Sequence, residues 1–183
     1  KDMKKSSFWS DASRCGAIVG AVNVVTSLLG MLLPSIAFVS GLVNFVATVY
    51  LLFYFTRKRA NLFIEEGYTY SQSLGFIVAS GLFVGVVCAV YQIIASNFLF
   101  TELFEQTVNT TIATLQQSGL YNNEMMDQMS GMMRSYIFSP IPVLISNVVG
   151  NIFLFGFYGL FISIGTKREP DIFDDNYSNE EDE

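Results

Sequence analysis

The chain has 183 residues, 51% hydrophobic and 14% charged, with Lys+Arg 10, Asp+Glu 16 and no histidine. Soluble domains carry about a quarter charged residues, so the composition excludes a disordered chain and argues against a water-soluble one. Eight of the acids lie in the last fifteen residues; the net charge of -6 describes that tail, and without it the balance is +2.

Three charge-free runs, Cys15 to Thr56, Gly67 to Thr101 and Ser135 to Thr166, hold 109 residues. A helix crosses a hydrocarbon core of roughly 30 Å with about 20 residues. The first run is twice too long for one span, and Pro34 breaks it near the middle, because proline lacks a backbone donor and clashes with the preceding turn. This predicts spans over 14–33 and 35–56 joined by a short outer turn, after a cytoplasmic segment 1–13. A retained first span is favoured over a cleaved leader, since a second apolar span follows at once. In the second run a polar stretch from Tyr68 to Ser73 precedes a third span over 74–100, long enough to tilt. Pro140 and Pro142 mark the entry to a fourth span over 142–164. Residues 14–168 thus form one membrane domain, and the acidic tail 169–183 has too few apolar residues to order itself. The expected fold is an all-α integral membrane four-helix bundle.

Between the third and fourth spans, residues 101–139 form the expected outer loop. Phe104, Val108, Ile112 and Leu115 recur at helical spacing until Ser118-Gly119 breaks it. A second helix follows, capped by Asn122 or Asn123, with an apolar stripe of Met125, Met129, Met132 and Tyr136. The pair reads as two amphipathic helices on the outer membrane face or over the mouth of the bundle. Orientation follows from the basic residues: Lys1, Lys4, Lys5, Arg14, Arg57, Lys58, Arg59, Lys167 and Arg168 fall on one side and Arg134 alone on the other. Cytoplasmic loops retain positive charge, so both termini are expected inside. Tyr50, Tyr54, Tyr68, Tyr70 and Trp9 fit the inner headgroup layer.

The segment EEGYTYSQSLGFIVASG at 65–81, the glutamate-bearing loop after the third span and the ending GLFISIGTKREP at 159–170 resemble the bacterial four-span membrane proteins of domain-of-unknown-function family 4199. The resemblance covers most of the chain. It implies an inner-membrane protein without an assigned activity and carries over no catalytic residue. It also implies a neighbourhood of polyprenyl-phosphate glycosyltransferases, a pointer to partners only.

The chain has no histidine, and no lysine, arginine or carboxylate falls within the cores of the four spans, Arg14 standing at the very start of the first, which counts against a proton pump. The intramembrane polar set is Asn23, Asn44, Gln92, Asn97, Asn147 and Asn151, the last two four apart on one helix face. Amides that bond across helices as packing glue are the favoured reading, and a polar site for a small ligand or lipid headgroup is the alternative. Gly16 with Gly20 and Gly81 with Gly85 form GxxxG pairs, favoured as contacts within one chain over contacts between copies. The methionine-rich segment MMDQMSGMM at 125–133 invites Cu(I), yet helical spacing explains it as an adaptable greasy face. No metal and no cofactor is expected, and the acidic tail reads as solvated. Cys15 and Cys88 fall at different depths, so no disulfide is expected. Without a nucleophile paired to a base, a phosphate loop or a basic stripe, neither an enzyme nor a nucleic-acid binder is expected. The expected partners are the lipid bilayer and a membrane protein or a second copy. Two functions compete: a non-enzymatic subunit or scaffold holding a partner such as a polyprenyl-phosphate glycosyltransferase, and a flippase-like carrier component with a polar path between helices.

Overall fold

The computed structural model describes residues 7–63, 66–117, 119 and 122–168. Among these residues the secondary structure is helical, with six α-helices and no strand, and four helices are long and apolar enough to cross a membrane. Helix α1 (Phe8–Leu32) starts two turns before the predicted span, with Asp11 in its first turn against the positive end of the helix. It stops where Leu33, the residue before Pro34, leaves helical geometry at φ -129° and ψ 77°. One 3-10 turn over Pro34–Ile36 leads into α2 (Ala37–Ala60), whose last turn carries Arg57, Lys58 and Arg59 against the negative helix end.

The third span begins a turn earlier than its hydropathy predicts. Helix α3 (Tyr70–Ile94) is nucleated by a capping box: the Thr69 hydroxyl accepts from the Gln72 N–H at 3.2 Å, and Gln72 Oε1 accepts from the Thr69 N–H at 2.9 Å. Tyr70 to Ser73 of the polar stretch therefore belong to the helix rather than preceding it. Beyond Ile94 the helix widens into a π turn over Ala95–Leu99, closed by the Phe100 N–H on the Ala95 carbonyl at 2.8 Å.

Helix α4 (Thr101–Gln117) ends before Gly119, whose φ of +67° is a left-handed conformation that glycine adopts without strain. Asn122 caps α5 (Asn123–Phe138) by accepting from the Met125 N–H at 2.8 Å. Pro140 opens α6 (Pro140–Thr166) at a first-turn position, where the missing N–H costs nothing. The acidic tail lies outside the described residues.

Helix α3 is central, packed on α1 along one side and on α6 along the other, while α2 lies on α1 and touches α6. Val19, Leu52, Phe76, Ile77, Val84 and Phe155 form the core between them. All four GxxxG glycines lie at contacts within the chain. Gly16 and Gly20 of α1 face α3, where an added Cβ would lie 2.4 Å from Phe83 Cβ and 2.9 Å from Val87 Cβ. Gly81 and Gly85 of α3 face α6, with a Cβ 2.7 Å from Phe155 Cβ and 2.6 Å from Val148 Cα. Large apolar side chains such as Phe38, Val46, Ile145 and Phe153 stay exposed on the outward faces of the long helices, the surface expected of helices in hydrocarbon. The Tyr68 N–H and C=O both pair with the Arg168 backbone at 2.9 Å, so the start of α3 is stapled to the end of α6.

Candidate functional site

Four of the six intramembrane amides line one cavity. Asn23 of α1, Asn44 of α2, Gln92 of α3 and Asn147 of α6 surround a space of about 400 Å³ with Ser27, Met31, Cys88, Tyr91 and Phe104. Asn44 and Asn147 each sit about two turns into their helices, so the cavity lies well inside the helix ends on the side where α4 crosses. Asn147 Nδ2 donates to Gln92 Oε1 at 2.8 Å and to its own helix at Val143 O, 2.9 Å away. The Thr48 hydroxyl donates to Asn23 Oδ1 at 3.2 Å, and the Tyr91 hydroxyl donates to Met31 Sδ at 3.6 Å. Asn44 Oδ1 is buried with no hydrogen-bond partner, an arrangement that costs free energy unless something supplies a donor.

Asn151 does not join this set. Its Nδ2 donates to the Asn147 carbonyl at 2.9 Å, and its own carbonyl would lie 3.0 Å from a Cβ at Gly81, inside the α3 to α6 contact. Sharing a helix face with Asn147 fixed its direction but left it a turn too far from the opening. Asn97 is also outside, on the π turn, where it donates to the Phe138 carbonyl at 3.2 Å and ties α3 to the end of α5.

The loop helices carry a correction. Phe104, Val108, Ile112 and Leu115 lie on the covered side of α4, and Val108 is fully buried. On α5, however, Met126 is 2% exposed, whereas Met125 is 51% and Met132 68% exposed, with Tyr136 exposed beside them. The covered side runs through Met126, Met129 and Met133, with Met129 common to both stripes. Two adjacent methionine pairs make an apolar arc wider than one stripe, so spacing alone did not select the packed edge. The selection comes from Arg134, which donates to both Glu105 carboxylate oxygens at 2.8 and 2.5 Å and to Asn109 Oδ1 at 3.0 Å, and so fixes the rotation of α5 against α4.

At the opposite end of the long helices, Arg59 turns inward instead of joining Arg57 and Lys58 in solvent. It pairs with Asp11 across α1 and α2, and its guanidinium lies 5.1, 5.5 and 5.6 Å from the ring centres of Phe8, Phe63 and Phe76. Burial raises the pKa of the neighbouring Tyr68 phenol above its ordinary 10.0, with the Arg59 charge pulling the other way. Among the described residues no group of three or more His, Cys, Asp or Glu gathers to hold a metal.

The sequence reading missed Ser27, Met31, Cys88 and Tyr91. Their signal was present: Asn23, Ser27 and Met31 recur every fourth residue along α1, as do Cys88 and Gln92 on α3, which puts each set on one face.

Comparison with curated proteins gives no match, and neither does comparison with solved structures. A family model described as a protein of unknown function, DUF4199, matches residues 14–168, the stretch from the first turns of α1 to the Arg168 staple, and the chain belongs to that family.

Proposed function

We propose that the chain is a non-enzymatic membrane protein that takes a polar group into the amide-lined cavity, as a binding or carrier component. The single observation behind this reading is the convergence of Asn23, Asn44, Gln92 and Asn147 from four different helices on one cavity. Glue amides bond pairwise and close the gap between helices. Here Gln92 bonds Asn147 and Asn23 accepts from Thr48, yet Asn44 Oδ1 has no partner and space remains between them. The four long helices form a bundle in the cytoplasmic membrane, and the amphipathic pair α4 and α5 lies on its outer end, with Phe104 reaching over the cavity.

Cys88 provides the test, because it lines the cavity and is partly buried, whereas Cys15 is fully buried. In nanodiscs a small water-soluble thiosulfonate is expected to modify Cys88 and spare Cys15. Filling the cavity with Asn44→Leu and Asn147→Leu is expected to slow the modification several-fold. A Cys88 as inert as Cys15 means a dry gap in which the amides are glue.

The orientation rests on the basic residues and has its own test. In intact spheroplasts, a cysteine at Thr110 of α4 is expected to react with an impermeant maleimide, and one at Lys58 of α2 only after lysis. The reverse pattern turns the molecule over.

The scaffold reading keeps one specific support, the uncovered face of α2 bearing Phe38, Leu42, Val46 and Tyr50. A scaffold would press this face on another membrane protein, a polyprenyl-phosphate glycosyltransferase being the expected kind. Mild-detergent purification at native expression then returns a stoichiometric partner that Val46→Trp expels.

A further inference from the structure

We propose that the group taken into the cavity is uncharged and hydroxyl-bearing, a sugar or polyol moiety; this rests on the cavity reading above. The polar lining is amide, hydroxyl and thiol, with no ionised side chain. The one cation described on α4 and α5, Arg134, is already held by Glu105 and Asn109. A phosphate, carboxylate or ammonium would therefore enter a poorly hydrated region without a counter-charge.

The hydrogen-bonding capacity left over points the same way. Asn147 uses both amide hydrogens, on Gln92 Oε1 and the Val143 carbonyl, so its Oδ1 remains an acceptor and Gln92 Nε2 remains a donor. Asn23 Oδ1 is taken by Thr48 and its amide nitrogen also bonds the Cys88 thiol, which leaves one amide hydrogen as a donor. Asn44 contributes a second unpartnered acceptor. Donors and acceptors are thus interleaved. A carboxylate only accepts and an ammonium only donates, whereas each hydroxyl does both and matches a mixed set. The rings of Tyr91 and Phe104 add flat apolar walls for the C–H face of a sugar ring. At about 400 Å³ the space is near the lower end of ligand pockets, roughly 300–1,000 Å³, so it suits a headgroup rather than a whole lipid.

The full chain, purified without sugar-based detergent, is placed in phosphatidylcholine nanodiscs doped in turn with glucosyl diacylglycerol or phosphatidylglycerol, or bathed in free glucose. The readouts are the rate of Cys88 alkylation and the lipids retained in native mass spectrometry. Glucosyl diacylglycerol is expected to be retained and to slow alkylation about tenfold, while phosphatidylglycerol leaves the rate unchanged. Gln92→Met is expected to abolish the protection and keep the helix content, because single interhelical amide bonds contribute little to membrane-protein stability. Protection by glucose alone supports the same chemistry from the aqueous side; protection by the glycolipid alone assigns it to the membrane. Equal protection by phosphatidylglycerol overturns the uncharged class and leaves the cavity reading standing. Failure of both sugar probes, with Cys88 still freely labelled, also overturns it. A Cys88 inert to the small thiosulfonate defeats the cavity reading itself.

Discussion

Gly85→Val is expected to be among the most destabilising single changes in this protein, with a loss of about 3 kcal/mol or more. A Cβ at Gly85 would lie 2.6 Å from Val148 Cα and 2.9 Å from the Asn147 carbonyl, and both are backbone atoms of α6. Backbone has no rotamer to change. The two helices must separate along their whole contact, which also pulls Asn147 away from Gln92 and opens the cavity. Gly75 on the same helix and Gly41 on α2 have nothing within 4 Å of a Cβ. Alanine at either is expected to be neutral or to stabilise by up to about 1 kcal/mol, since glycine is the costlier residue inside a helix. Unfolding in one fixed detergent, compared across Gly85→Val, Gly75→Ala and Gly41→Ala, measures the contrast. Equal midpoints for all three would remove the close contact between α3 and α6.

Asp11→Asn is expected to cost about 3 kcal/mol, the usual penalty for removing one partner of a buried ion pair. The Arg59 side chain is only 9% exposed, against 23% for Asp11, so the charge left behind is the one less able to reach water. Phe8, Phe63 and Phe76 lie around the guanidinium and compensate part of the loss through their ring faces. The double change Asp11→Leu with Arg59→Met removes both charges and is expected to recover most of the stability. Recovery in the double variant identifies the stranded charge as the cause; a double variant worse than Asp11→Asn would mean that the pair itself is the main source of stability.

The four long helices were legible because their signals are local: charge-free length, a proline at the first break and a proline pair at the last entry. Their ends were less so. Hydropathy marks where apolar residues begin, whereas α3 begins where Thr69 and Gln72 cap it, and α1 runs back to Phe8 through residues too polar to count as hydrocarbon-spanning. The candidate site was half legible. Composition picks out the amides, and periodicity puts Asn147 and Asn151 on one face, but which of the two reaches the opening depends on how deep α6 sits against Gly81 and Gly85. The inward turn of Arg59 was hidden inside a basic cluster that reads as a cytoplasmic signal; Asp11, the lone acid between Lys5 and Glu65, was its counterpart in the sequence. On α5 two methionine stripes fitted the spacing equally well, and Arg134 with Glu105 decided between them.

The central position of α3 also sets a schedule for biogenesis. Helix α1 is already made when α3 leaves the ribosome, so the Gly16 and Gly20 contact forms with residues at hand. The opposite side of α3, carrying Gly81 and Gly85, waits for α6, which follows only after α4 and α5 have been synthesised. At about 5–20 residues per second that interval lasts seconds. Throughout it a groove shaped for close helix approach stands open to lipid, to the insertion machinery and to other nascent chains. A ribosome that stalls after α5 therefore releases a product with its amide-lined cavity lacking the α6 wall and the Gly81 and Gly85 face of α3 uncovered.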